Sequence, residues 1–100
     1  MSKKERIPFL PNEAIAPGEV LEEHIESIGM TQAELAERTG LTPKTINEIV
    51  NGKAPVTPET ALKLERVLGR PAHFWNNLEL LYQEDLVRLA STRQMQTRLA

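Results

Sequence analysis

The chain has 100 residues, 40% hydrophobic and 26% charged, a net charge of −2 and no cysteine. That is apolar material for one small domain, and it excludes a disulfide scaffold and thiol catalysis. The slight negative balance argues against a non-specific nucleic-acid coat, but sequence-specific binding stays open because only a contact face must be positive.

In chain order, residues 1–16 contain Pro8 and Pro11, lack a helical period and are expected to form an N-terminal arm. Ile7, Phe9, Leu10 and Ile15 are its possible anchors, and Lys3, Lys4 and Arg6 read as a basic tip. No apolar run of signal-peptide or membrane-spanning length follows the start, so a soluble, cytoplasmic protein with no membrane partner is expected. A first helix should run from Pro17-Gly18 to about Ser27 and stop at Gly29. Val20, Leu21, Ile25 and Ile28 form its inward stripe, with Glu19, Glu22, Glu23 and Glu26 opposite. His24 falls in the apolar stripe and reads as a partly buried core residue. No second His, Cys or carboxylate stands at ligand spacing around it, so no metal site is expected.

Thr31 to Lys53 reads as two short helices joined by a tight turn. Thr31 caps the first, Glu34 completes a capping box, and Gly40 ends it where positive φ costs little. Thr42 caps the second, Pro43 occupies its first turn, and Asn51-Gly52 closes it. Two such helices around a Gly-containing turn form a helix-turn-helix pattern. At 100° per residue, Ile46, Ile49 and Val50 fall on one side of the second helix. Lys44, Asn47, Glu48 and Asn51 fall on the other, with Thr45 at the edge. That face is rich in short amide and hydroxyl side chains able to read base edges. An ordinary solvated face would hold more Glu, Lys and Gln. In this motif the second helix enters the major groove by its N-terminal part. Thr42, Lys44, Thr45, Asn47 and Glu48 are therefore the candidate base-edge residues. Thr31 and Gln32 at the start of the preceding helix, with Asn51 and Lys53, are candidates for phosphate contacts.

Thr57-Pro58 repeats the cap-plus-proline signal and opens a fourth helix to about Leu68, with Ala61, Leu62, Leu64, Val67 and Leu68 facing inward. Arg70-Pro71 opens a fifth. Its stripe of Phe74, Trp75, Leu78, Leu81, Tyr82, Leu86 and Leu89 is wider than one small domain needs. Phe74, Leu78, Leu81, Tyr82, Leu86 and Leu89 are therefore expected at an isologous homodimer interface. The expected division is an arm at 1–16, a helix-turn-helix domain at 17–90 and a polar tail at 91–100 that either extends the fifth helix or frays. No strand-like alternation appears, so the fold class is all-α with five helices. No catalytic residues are expected: the serines lack a nucleophile-elbow context, and His24 and His73 lack a metalloprotease spacing. Neither cofactor nor metal is implied.

The run TQAELAERTGLTPKTINEIVNGK resembles the DNA-binding part of the lambda-repressor-like, Xre-type family. Over Ile15 to Tyr82, with APGEVL, INEIVNGK and GRPAHFWNNLELLY as its most specific pieces, the chain resembles the HigA-type antitoxins of bacterial toxin–antitoxin modules. The resemblance supports Gln32, Lys44, Thr45, Asn51 and Lys53 as DNA-binding positions. It implies two partners beside the homodimer: double-stranded operator DNA, repressing the protein's own operon, and a cognate RelE-like toxin that cleaves mRNA. Pro43 and Glu48 depart from many relatives and leave base preference open. A free-standing Xre-type repressor and a protein-interaction module with a vestigial DNA face are the other readings.

Overall fold

The computed structural model describes residues 14–99, with side chains as far as Thr92. The expected arm therefore lies outside the described residues except for Ala14–Ala16. Five helices follow in order: α1 Pro17–Ser27, α2 Gln32–Thr39, α3 Pro43–Val50, α4 Pro58–Leu68 and α5 Ala72–Leu99. No strand occurs among the described residues.

The caps carry out what the local sequence prescribes. Thr31 Oγ1 accepts the Glu34 N–H at 3.0 Å, and Gly40 ends α2 at φ +80. The capping box closes on one side only, because the Glu34 carboxylate instead pairs with Arg38 at 2.8 Å, one turn on. The sequences TPKT and TPET, at the starts of α3 and α4, fold alike. Thr42 and Thr57 accept the N–H groups of Thr45 and Thr60 at 3.1 and 3.2 Å, and donate to the hydroxyls of the same residues. At the end of α3, Gly52 turns left-handed at φ +74. Its N–H reaches Ile49 O at 3.1 Å and that of Lys53 reaches Glu48 O at 2.8 Å, a Schellman closure.

α3 packs against α1 and α2, and α5 packs against α4 and α1. Leu21, Ile25, Leu35, Ala36, Ile46, Ile49, Val50, Val56, Ala61, Leu64 and Trp75 form one buried core. Gly18 explains why α1 and α3 can lie so close. A Cβ built there would stand 1.9 Å from the carbonyl oxygen of Ile49, so only glycine admits this approach. At the other end of α1, Trp75 is fully buried with its ring 6.4 Å from that of His24. Phe74 meets the Trp75 ring edge-on at 5.0 Å, and the Arg70 guanidinium lies 4.5 Å over Phe74.

Two features differ from the sequence expectation. Ile28 is 54% exposed, because α1 stops at Ser27 and the turn at Gly29 carries the chain away before Ile28 can face inward. Leu62 is 48% exposed, while the neighbouring Thr60 takes a buried place on α4. α5 runs unbroken to Leu99, so of the two alternatives for the polar tail it is the extended helix that the structure has, through residue 99.

Candidate nucleic-acid interface

The side chains of α3 and of its C-cap Asn51 separate cleanly by side. Ile46, Ile49 and Val50 are buried, whereas Lys44, Asn47 and Asn51 are exposed and Thr45 and Glu48 are half-buried at the margin. Thr42, Thr31 and Lys53 are also exposed, and Gln32 is half-buried. The helix-turn-helix pair thus gathers its polar residues on an open surface while its aliphatic ones anchor it.

A ladder of amides crosses that surface. Asn47 Nδ2 donates to Gln32 Oε1 at 3.4 Å, joining the start of α2 to the middle of α3. Asn51 Nδ2 donates to Asn47 Oδ1 at 3.1 Å, one turn along. Asn47 is therefore held from both sides, with one amide hydrogen and one lone pair left for an outside partner. Thr31 and Thr42 spend their hydroxyls on caps, so their contribution to a polyanion comes through the helix ends they order. Lys44 and Lys53 form no ion pair with any described residue, unlike Arg38, Lys63 and Arg88, which pair with Glu34, Glu59 and Asp85. Two uncommitted cations on a short-chained polar face suit phosphate oxygens and base edges. Glu48 contributes through its backbone, whose carbonyl accepts the N–H groups of Lys53 and Ala54 at 2.8 and 3.2 Å.

The α5 residues expected at a dimer seam do not behave alike. Phe74 and Leu78 pack against the core of their own domain. Tyr82 is half-buried and lines a cleft of about 370 Å³ with Ala16, Glu19 and Asn51. Leu81 is 55% and Leu86 40% exposed, and Leu89 is half-buried. Sequence reasoning missed Leu80 and Val87, which are 55% and 67% exposed. Their spacing of seven places them within about 20° of one another on the helix, on the side away from Leu78 and Leu89. The heptad interval was the signal that pointed to them.

The helix-turn-helix family model HTH_3 matches residues 21–75. The chain is 40% identical over 79 residues to virulence-associated protein I of Dichelobacter nodosus, covering 76% of this chain and 73% of that protein. To antitoxin HigA-1 of Vibrio cholerae serotype O1 it is 35% identical, covering 65% of this chain and 62% of that one. Its fold superposes with a TM-score of 0.76 on Pseudomonas aeruginosa antitoxin HigA, solved with the higBA promoter. There 28% of residues are identical, with 83% of this chain and 91% of that one covered. Together with the α2–turn–α3 geometry, these likenesses decide the matter: the chain belongs to the Xre-type, lambda-repressor-like helix-turn-helix family, and within it to the HigA-type antitoxins.

Proposed function

We propose that this antitoxin binds a palindromic operator as a dimer, represses its own operon in the cytoplasm and neutralises a RelE-like toxin that cleaves mRNA. It acts by binding, not by catalysis. One observation carries the DNA part: Lys44, Asn47 and Asn51 lie open on a helix whose opposite side is sealed in the core. α3 enters the major groove by its N-terminal end, so Lys44, Thr45 and Asn47 meet base edges while Gln32, Asn51 and Lys53 meet phosphates. The exposed apolar residues of α5 form the dimer seam, which sets two half-sites about one helical turn apart.

Selecting duplexes from a randomised library with the full chain tests this directly. Lys44→Ala or Asn47→Ala should cost about 1–3 kcal/mol and relax one position in each half-site. An unchanged base preference in Asn47→Ala removes that residue from the reading set. The toxin is tested by co-expression with the product of the neighbouring reading frame, scored by growth rescue and pull-down. A frame that encodes no small basic protein leaves a free-standing regulator. Selection of no duplex by a confirmed dimer leaves a protein-interaction module.

A further inference from the structure

The connector between α3 and α4 carries Lys53 and has no regular structure from Asn51 to Thr57. Its first half is held by α3, through the Glu48 carbonyl that accepts the N–H groups of Lys53 and Ala54. Its second half is held from much further along the chain. The Val56 N–H donates at 2.9 Å to Oε1 of Glu79 on α5. The other carboxylate oxygen, Oε2, accepts from Gln83 Nε2 at 2.6 Å, one helical turn on. Both oxygens of Glu79 are thus engaged and its orientation is set. Val56 is 3% exposed, so its amide lies where an unpaired N–H is costly. A carboxylate is a stronger acceptor there than a neutral carbonyl.

We propose that Glu79 is a positioning residue for DNA binding: it straps the connector to α5, so that Lys53 meets its phosphate at a fixed place. This rests on the DNA-binding reading above. The sign of the effect separates positioning from simple electrostatics. Removing an acidic group that acted only through its charge would strengthen binding to a polyanion, whereas removing a strap weakens it.

The probe is a duplex selected from the randomised library by the unsubstituted full-length protein, titrated at several salt concentrations. Glu79→Ala should bind it about tenfold more weakly, with its salt slope flattened by about one unit, as in Lys53→Ala. Glu79→Gln, which keeps an acceptor for Val56, should restore most of the affinity. The Glu79→Ala, Lys53→Ala double variant should bind no worse than the weaker single variant, because both remove the same contact. Equal or tighter binding by Glu79→Ala, or additive losses in the double variant, overturns the proposal. If Glu79→Ala does not fold, Gln83→Ala at an exposed position takes its place. A weaker loss with the same flattened slope then supports the strap, and unchanged binding overturns it. If no duplex is selected at all, it is the DNA-binding reading that fails.

Discussion

α3 and α5 are completed in different ways. α3 buries Ile46, Ile49 and Val50 within its own domain and leaves a polar side open. α5 buries Trp75 completely, then leaves Leu80, Leu81, Leu86 and Val87 each at least 40% exposed. A lone exposed leucine is ordinary, but four aliphatic residues within eight positions leave this stretch of α5 rich in exposed apolar surface. The contrast teaches that a short helix can be fixed by its own chain and so offer its polar face outward. The longer one has apolar surface to spare once its first turns are packed.

The sharpest way to break this contrast is Trp75→Ala. Emptying the largest buried site should cost about 3–5 kcal/mol in denaturant unfolding. A loss near zero would mean that the start of α5 is not part of the core. Gly18→Ala comes next, at about 1–3 kcal/mol, because its methyl group collides with the Ile49 carbonyl that fastens α3. Serine at both Leu81 and Leu86 should change domain stability by no more than about 0.5 kcal/mol while shifting sedimentation toward the monomer. The same pair of changes at Leu80 and Val87 sharpens the comparison, since whichever pair dissociates the proposed dimer marks its seam. The smallest effect concerns pH. Burial, and then the Arg70 guanidinium, lower the pKa of His24 below its usual 6.5. The unfolded chain therefore binds the proton more readily than the folded one. Stability should be full above pH 6.5 and decline as pH falls through 6.5 toward the folded value. His24→Gln should flatten that decline in pH-dependent melting curves.

The parts legible in sequence were those whose causes are local. Thr31, Thr42 and Thr57 each cap the helix that follows by accepting an N–H three residues on, and the two sides of α3 follow from its period alone. What escaped depends on distant neighbours. Gly18 meets Ile49, thirty-one positions on, and Val56 meets Glu79, twenty-three positions on. Nothing in APGEVL or NNLELL announces such a partner. Ile28 and Leu62 matched an inward period, yet their exposure depends on where α1 ends and how α4 lies on its neighbours. The amide ladder was hidden for the same reason, since Gln32 and Asn47 lie on separate helices.

Trp75 is the chain's single indole, enclosed on all sides, and its Nε1 has no hydrogen-bond partner among the described residues. Indole emission from this protein, excited at the red edge where Tyr82 does not absorb, consequently comes from one known spot at the junction of α1 and α5, and it should be blue-shifted while that junction holds. A protonated imidazole quenches a nearby excited indole, so the His24 ring gives the same light a dependence on acidity. The molecule thus contains its own optical gauge, carried on α5, for following whether its helices stay together.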